Sequence, residues 1–218
     1  MKSLLVLMVT VMLGGVARAQ TTAGGGAAPS AGYVEGIAQS AFGNVTSQSY
    51  GAEAGFAVTR SVRLFVEAGR IGDVSTSDLG VNAQTIAAAL TLSLSGSVSY
   101  TSKEPVSFGV AGLKYLIPVG GNLEPYILGG FGLAKYTKDV RFLVGGTDVT
   151  GSLAQYGVVL GSDVSGDFTR PMLSLGVGVA WPAWERWVVD IQYRFRRIFA
   201  DNQGINVSRA GVGVGVRF

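Results

Sequence analysis

The side chains of this chain that could carry chemistry are carboxylates and basic groups, because its 218 residues include neither histidine nor cysteine. Histidine is the side chain whose ordinary pKa suits proton transfer near neutral pH, and cysteine is needed for disulfides and thiolate metal sites. Asp190 is followed closely by Arg194 and Arg196, a spacing that favours an ion pair. No pair of carboxylates stands out for acid–base chemistry. We therefore predict no catalytic residues, no metal ligands and no cofactor.

Eight charged side chains are spaced so that they would meet only inside a closed sheet. Each occupies an alternate position in a strand-like segment, on the face opposite the apolar residues. Three acids come from the first segments and four bases from later ones, so they become neighbours only where the first and last strands pair. Buried charges must be paired and hydrogen-bonded. The predicted ion-pair network of the lumen comprises Glu35, Glu53, Glu67, Lys114, Asp190, Arg194, Arg196 and Arg209.

The elements that must position these side chains are β-strands, because several segments alternate apolar and polar residues with a period of two. From Trp187 to Phe195 every second residue is apolar, and Asp190, Gln192 and Arg194 lie among the positions between them. Two segments, in the middle of the chain, carry apolar residues on both faces. The eight segments predicted as strands are 33–43, 49–59, 62–71, 105–117, 123–136, 172–181, 186–198 and 207–218.

The connections between these segments alternate between short and long. Those at 60–61, 118–122 and 182–185 are rich in turn-forming residues, whereas two on the other side, 72–104 and 137–171, are long. This asymmetry is typical of an outer-membrane barrel with short periplasmic turns and longer external loops. Two interpretations of the long loops stay open. The first loop holds a short amphipathic helix over the barrel mouth, or parts of the loops extend strands and raise the count from eight to ten; we favour eight.

The N-terminal residues 1–19 have the features of a secretory signal peptide. Lys2 supplies the positive start, residues 3–16 are mostly apolar, and Ala17-Arg18-Ala19 matches a small-x-small cleavage site. We expect a flexible segment over 20–32 and the barrel domain over 33–218. Cleavage removes Lys2 and Arg18 from 17 basic residues and none of the 14 acidic ones, which leaves a net charge of +1. The basic composition is therefore no evidence for a nucleic-acid partner.

The composition after the signal favours a membrane barrel with apolar residues outside. Only 14% of the residues are charged, against about 25% in typical soluble domains. No later segment offers the ~18 consecutive apolar residues of a spanning helix, and a closed barrel is the other structure that satisfies every backbone group in lipid. Aromatic residues near strand ends predict girdles at the two membrane interfaces. The predicted girdle residues are Tyr115, Tyr126, Tyr136, Trp181, Trp187 and Tyr193.

The last strand-like segment carries the most specific pattern. Residues 204–218, Gly-Ile-Asn-Val-Ser-Arg-Ala-Gly-Val-Gly-Val-Gly-Val-Arg-Phe, alternate apolar side chains and end in an aromatic. Together with Pro125-Tyr126-Ile127-Leu128-Gly129-Gly130-Phe131-Gly132, this segment resembles the small outer-membrane β-barrel family of OmpA/OmpX type, over 33–218. The resemblance implies an assembly signal, read by the barrel-insertion machinery, at Val212, Val214, Val216 and Phe218. It also implies a place in the bacterial outer membrane after export, among outer-membrane lipids and lipopolysaccharide.

The predicted fold is therefore all-β, a closed eight-stranded antiparallel up-and-down transmembrane β-barrel with two long external loops. The predicted function is a non-enzymatic, monomeric outer-membrane protein with a structural or surface-interaction role. A narrow pore for small solutes is an alternative, although eight strands leave an interior that side chains just fill. A soluble periplasmic ligand-binding barrel is a further alternative, and it would place the apolar residues inside.

Overall fold

The structure, a computed structural model, describes residues 31–94, 96–200 and 204–218. The predicted signal peptide and almost all of the predicted flexible segment lie outside the described residues. In chain order the elements are β1 (Gly32–Phe42), β2 (Ser47–Ala57), β3 (Val62–Ile71), α1 (Ser77–Leu94), β4 (Val98–Lys103), β5 (Val106–Leu116), β6 (Glu124–Val144), β7 (Thr147–Asp148), a 3-10 helix (Thr150–Tyr156), β8 (Gly166–Pro182), β9 (Trp187–Ile198) and β10 (Ile205–Arg217).

Eight strands close into an antiparallel barrel, which confirms the predicted fold class. Their order around the barrel is β1–β2–β3–β5–β6–β8–β9–β10, and β10 pairs with β1. At this seam Tyr33 lies opposite Arg217. Gly32 N–H donates to Phe218 O at 2.9 Å, and Phe218 N–H donates to Gly32 O at 3.0 Å. Since the number of strands is even, both edges of the seam end on the side of the short turns.

The two other strands, β4 and β7, pair with the outer end of β6. This strand has 21 residues; its first part pairs with β5 and β8, and its last part pairs with β4. Strand β4 keeps the register of β5, since Lys103 lies opposite Asp139 and Val106 opposite Tyr136. The β5–β6 hairpin therefore continues beyond the barrel. Eight strands form the barrel, and the additional pairing lies outside it.

Most strand boundaries differ from the sequence prediction by one or two residues, and the end of β6 and the start of β8 differ by more. Strand β1 begins at Gly32, inside the segment predicted to be flexible, because Gly32 bonds to the end of β10. Strand β6 continues to Val144 and β8 begins at Gly166. Backbone pairing between them extends as far as Lys138 opposite Gly166. The sequence prediction followed the alternation of apolar and polar residues, which ends where the strands leave the lipid. The backbone pairing continues beyond that point.

Side chains of the barrel strands point alternately outward and into the lumen, as the pleat of a strand requires. In β9, Ile191 is 67% exposed and Tyr193 44%, and both side chains point outward. Arg194, the next residue along the strand, points into the lumen and is fully buried. The exposed face of the spanning strands is apolar and the buried face holds the charges. A soluble ligand-binding barrel has the opposite arrangement.

Glycines on the lumenal face make room for large side chains on the neighbouring strand. Tyr33 lies opposite Gly55, and Tyr126 lies opposite Gly178. A Cβ on either glycine would overlap the tyrosine ring or hydroxyl beside it. The abundance of glycine in the polar faces is therefore a packing requirement of a narrow barrel.

The external segments fold into a small unit that we call the cap: α1, β4, residues 137–144 of β6, β7, the 3-10 helix and residues 157–165. Thr76 precedes α1 and its Oγ1 accepts a hydrogen bond from Leu79 N–H at 3.4 Å, which satisfies one of the free amides of the first turn. No helix within the described residues combines the length and apolarity needed to cross a bilayer. The cap has its own apolar core of Leu79, Ala83, Ala87, Leu90, Val140, Phe142, Leu153 and Val164.

Candidate functional site

The lumen is the first candidate site, because the structure brings all eight residues of the predicted network into it. Each side chain is buried, with 3% exposure or less. They come from six strands, β1, β2, β3, β5, β9 and β10, and so reach across the barrel. The ion pairs and hydrogen bonds among these eight residues join strands that are far apart in sequence.

Glu67 on β3 is the centre of the outer half of the network. Its Oε2 accepts hydrogen bonds from Arg194 Nη1 and Arg196 Nη2. Its Oε1 accepts one from Arg209 Nη2 at 3.1 Å. The guanidinium carbon of Arg196 also lies 3.6 Å from the centre of the Phe108 ring, a cation–π arrangement. One carboxylate therefore holds three guanidinium groups from β9 and β10.

Glu53 on β2 is the centre of the inner half. Its two oxygens each lie 2.6 Å from a cationic nitrogen, Oε1 from Lys114 Nζ and Oε2 from Arg194 Nη2. The hydroxyl of Tyr33 donates to Oε1 at 2.5 Å. Glu35 is more distant, with its Oε1 at 4.0 Å from both Lys114 and Arg194. Arg194 is thus shared between the two halves and joins them into one network.

Asp190 departs from the prediction that it pairs with Arg194 and Arg196. Its Oδ2 accepts a hydrogen bond of 2.7 Å from the hydroxyl of Tyr126. Within the described part of the chain it makes no ion pair, because both arginines turn to glutamates on the opposite wall. The prediction was wrong on this pairing, because Arg194 and Arg196 pair with Glu67 of β3, and Arg194 Nε donates within its own strand to Gln192 Oε1 at 2.5 Å.

A second group of charges closes the inner end of the lumen and was missing from the predicted network. Arg217 donates to both oxygens of Glu124, at 2.6 and 2.8 Å, and Arg63 lies 3.6 Å from the same carboxylate. The cavity behind them, next to Asp190, measures about 10 Å³, room for about one water molecule. The alternation was a sufficient signal for both arginines, because Arg63 shares a face with Glu67 and Arg217 shares one with Arg209.

The outer end of the lumen is closed by apolar side chains. These residues lie at the outer ends of six strands and are buried, and Val74 of the segment leading to α1 joins them. They are Ala41, Ile71, Val106, Met172, Ile198, Ile205 and Val207. The charged network thus lies between an apolar layer and the Arg217–Glu124 pair.

Two of the six residues predicted for the aromatic girdles point the wrong way. Tyr126 is 2% exposed and Tyr136 4%, so both lie inside the barrel. Tyr126 bonds to Asp190, and the ring of Tyr136 stacks on Phe168 at 5.3 Å between centroids. The other four lie on the outward face with exposures of about one half: Tyr115, Trp181, Trp187 and Tyr193. The prediction was wrong for these two because β6 carries apolar residues on both faces.

The residues of the predicted assembly signal lie along the outer face of β10. Val212, Val214 and Val216 point outward and are partly exposed. Phe218 follows the strand, and a Cβ on Gly32 would lie 2.8 Å from its ring. Gly32 therefore leaves space for the terminal aromatic at the seam.

The second candidate site is the cap, which a cluster of hydrogen bonds attaches to the barrel mouth. Asp73 Oδ1 accepts bonds from the Ser75 and Glu104 backbone N–H groups, both at 2.9 Å. Glu104 Oε2 accepts one from Thr76 N–H at 2.7 Å, and its backbone oxygen accepts one from Val74 N–H at 3.0 Å. These bonds fix the start of α1 against the end of β4, so the cap is held as an ordered unit.

Burial raises the pKa of the Glu104 carboxyl above its ordinary value, and the nearby Asp73 acts in the same direction. The Thr76 hydrogen bonds and Lys138 oppose this shift only in part. A raised pKa means that the folded cap binds a proton more tightly than the unfolded one, so its stability falls as pH rises from about 4.3 through the folded pKa. We expect the melting midpoint of α1, followed by circular dichroism in detergent, to fall over this range.

Two substitutions separate the contribution of Glu104 from other titrations. Glu104→Gln keeps an acceptor for Thr76 N–H but removes the titratable carboxyl. The melting midpoint of α1 should therefore depend less on pH. Asp78→Asn removes an exposed carboxylate from the first turn of α1 without touching the hydrogen bonds of Glu104, so the fall of the melting midpoint with pH should persist. An unchanged slope in Glu104→Gln would show that another group is responsible.

In the part of the chain that the structure describes, no three acidic, histidine or cysteine side chains are grouped to hold a metal ion.

Comparison with known proteins connects this geometry to a family. A family model described as outer membrane protein beta-barrel domain matches residues 3–218. Among solved structures, Neisserial surface protein A has a TM-score of 0.54 at 16% identity, covering 87% of this chain and 98% of that one. The N-terminal β-barrel domain of Pseudomonas aeruginosa OprF has a TM-score of 0.50 at 17% identity, covering 86% and 96%. At such identities the likeness concerns the fold. No curated protein sequence matches the chain.

Proposed function

Because the chain belongs to the outer membrane protein beta-barrel domain family, we propose that it acts in the bacterial outer membrane as a non-enzymatic structural and surface-interaction protein. In this proposal the barrel is a closed support and the cap is the part that meets other molecules outside the cell. Export through the inner membrane depends on the segment 1–19. The protein works as a monomer.

The observation that carries the proposal is the filling of the lumen. Arg194, Arg196 and Arg209 are fully buried and bonded to Glu67, and Glu124 bridges Arg63 and Arg217 at the inner end. An eight-stranded barrel has an interior just wide enough to be filled by side chains. A solute would have to break both sets of ion pairs to pass, which favours a closed support over a narrow pore.

The fold of the cap supports a role in surface contacts. Its apolar core fixes α1 on the β4–β6–β7 sheet, so that the exposed face of the helix is presented in one orientation. On this face Leu92 is 88% exposed, and in the neighbouring loop Val159 is 86% exposed. Such exposed apolar side chains are the kind of surface used in protein contacts.

The outward face of the barrel favours outer-membrane lipids, including lipopolysaccharide, as its surroundings. Large apolar side chains such as Phe131 and Ile191 are more than two-thirds exposed there. For the same reason we propose that the barrel-insertion machinery delivers the chain, and that β10 with Phe218 carries the signal it reads.

Single-cysteine labelling tests the orientation on which the surface role depends. The chain has no cysteine of its own, so one introduced residue reports one position. Thr147→Cys, exposed in β7 of the cap, should react with a membrane-impermeant maleimide on intact cells. Asn122→Cys, in the exposed turn between β5 and β6, should react only after lysis. Labelling in the reverse order would contradict the proposal.

Planar-bilayer recordings test the closed lumen. We expect the purified barrel to give no steady conductance steps, because its ion pairs and apolar layer fill the interior. Heat-modifiable migration on gels should verify that the recorded protein is folded. Stable steps from folded protein would favour the pore instead.

Deleting Phe218 is expected to reduce strongly the amount of folded barrel in the outer membrane. The deletion removes the aromatic ring beside Gly32 and the hydrogen bonds that end the seam. Phe56→Ala is the matched control, since Phe56 is an exposed aromatic at the inner end of β2. Heat-modifiable protein in membrane fractions measures both variants, and equal yields of the two would argue against a special role for the terminus.

A further inference from the structure

The charges on the lipid-facing surface of the barrel have a single sign in three of its strands. On β3, β6 and β9 the outward positions run through exposed apolar residues and then reach a basic one at the outer end. These basic residues are Arg70, Lys135 and Arg197, and all three are exposed. The carboxylates of the network instead lie in the lumen, and Asp167 on β8 is an acid of the outward face, beside Lys135. Basic groups therefore predominate at the outer edge of the lipid-facing band on β3, β6 and β9.

Two of these basic residues belong to one row across three adjacent strands. Arg70 on β3 pairs with Ser107 on β5, and Ser107 pairs with Lys135 on β6. Strands lie about 4.8 Å apart, so the two basic residues are about 10 Å apart with a hydroxyl between them. All three side chains point outward. Their long side chains can converge on one anionic group above Ser107.

The partners of the two cations differ. Arg70 makes no ion pair or hydrogen bond within the described residues. Lys135 Nζ lies 2.9 Å from Asp167 Oδ2, and both of these side chains are more than half exposed. An exposed pair of this kind contributes little and is easily rearranged. The row with Asp167 included keeps a net positive charge.

Below the row, the outward face of β5 is unusually shallow. Ser107 is followed on this face by Gly109 and Ala111. Leu133 and Phe131 of β6 form the higher wall on one side, and Ala68 and Val66 of β3 form the lower wall on the other. A Cβ on Gly109 would meet nothing within 4 Å, so nothing inside the barrel requires glycine there. The result is a narrow track that leads from the basic row into the hydrocarbon region.

We propose that Arg70, Ser107 and Lys135 bind the phosphate of an anionic lipid in the outer leaflet, with one acyl chain lying over Gly109 and Ala111. The inference rests on the proposed membrane orientation. Charge complementarity favours the phosphate, and continuity with the lipid-facing surface favours a lipid over a free anion. Arginine and lysine near a membrane surface are attracted to anionic headgroups for the same electrostatic reason.

Native mass spectrometry of the full chain in phosphatidylcholine nanodiscs doped with phosphatidic acid tests the site. Wild-type protein should retain one phosphatidic acid preferentially. Arg70→Gln should reduce this retention about tenfold, the loss expected for one charge-assisted hydrogen bond. Gly109→Leu fills the track without removing charge and should also reduce retention. Arg197→Gln is the matched control, since Arg197 lies between Leu173 and Asn206 without a second base in its row.

Three results would overturn the site. Equal loss in Arg70→Gln and Arg197→Gln would mean that only general surface charge is sensed. Complete displacement of the lipid by an equal concentration of inorganic phosphate would mean that the acyl chain contributes nothing. Unchanged retention of phosphatidic acid in Arg70→Gln would exclude a phosphate site formed by Arg70, Ser107 and Lys135. Each of these leaves the cysteine-labelling result intact, so the lipid site can fail while the surface role stands.

Discussion

Glu67→Gln is expected to destabilise the folded barrel by about 3–5 kcal/mol, the usual cost of removing one partner from a buried charge cluster. Within the described residues, Arg196 and Arg209 would lose the one carboxylate they pair with, and Arg194 would keep Glu53 and the more distant Glu35. All of these groups are buried, so water cannot replace the lost bonds. Urea-driven unfolding in lipid or detergent, followed by the gel shift of unheated samples, gives the change in the free energy of unfolding.

Asp167→Asn is the control for this substitution. Asp167 also pairs with a basic group, Lys135, but both are exposed, and such pairs contribute about 0–1 kcal/mol. A Glu67→Gln barrel as stable as the Asp167→Asn barrel would contradict the view that the buried network holds the strands together.

Gly132→Ala is expected to cost about 3 kcal/mol, the upper end of the range for overpacking a tight interior. A Cβ on Gly132 would overlap the carbonyl oxygen of Gly109 on β5, and backbone cannot move aside as a side chain can. The substitution would force apart the pair of strands that continues into the cap. Urea titration should therefore show a lower midpoint of unfolding. The backbone amides of the cap should also be less protected against hydrogen exchange.

Gly109→Ala is the matched control, because it lies on the same hairpin and points outward. Nothing lies within 4 Å of a Cβ at this position. Restricting the unfolded chain should make the variant neutral or more stable by up to about 1 kcal/mol. Similar destabilisation by Gly109→Ala and Gly132→Ala would show that the close approach of the two backbones is not the cause.

The barrel strands were predictable because one face meets lipid and the other meets the lumen. Apolar and polar residues therefore alternate along the sequence with a period of two. In β9 the alternation of Ile191 and Tyr193 with Asp190 and Gln192 is unbroken. Where neither solvent imposes the pattern, the prediction stopped too early. Residues 137–144 of β6 follow the hairpin beyond the lipid, and Val140 and Phe142 there pack against α1.

The orientation of Tyr126 illustrates the limit for a strand with two apolar faces. Ile127 and Leu128 are both apolar, so the sequence of β6 does not say which parity faces lipid. The answer lies in other strands, where Gly178 of β8 leaves space for the tyrosine and Asp190 of β9 accepts a hydrogen bond from its hydroxyl. Those contacts depend on the register between strands, which a single segment does not contain.

The membership of the ionic network was predictable, but its pairing was not. Alternation identified eight of the charged side chains that face inward, although Arg63, Glu124 and Arg217 were missed. The choice of partners depends on which walls of the barrel face each other, and so Glu67 of the third strand binds arginines of the last two. The Arg217–Glu124 pair at the inner end has the same origin, since it joins the final strand to the middle of the chain.

The seam between β1 and β10 sets a rule for what can survive in the bilayer. A cylinder whose two edges come from the first and last strands has no stable halves, because a fragment lacking either edge leaves amide and carbonyl groups facing hydrocarbon, where each costs several kcal/mol. A cut in an external connection is different, since every strand keeps both neighbours. A protease that cuts an external connection therefore leaves the barrel assembled, whereas a chain that lacks the first or last strand cannot form a stable barrel in the bilayer.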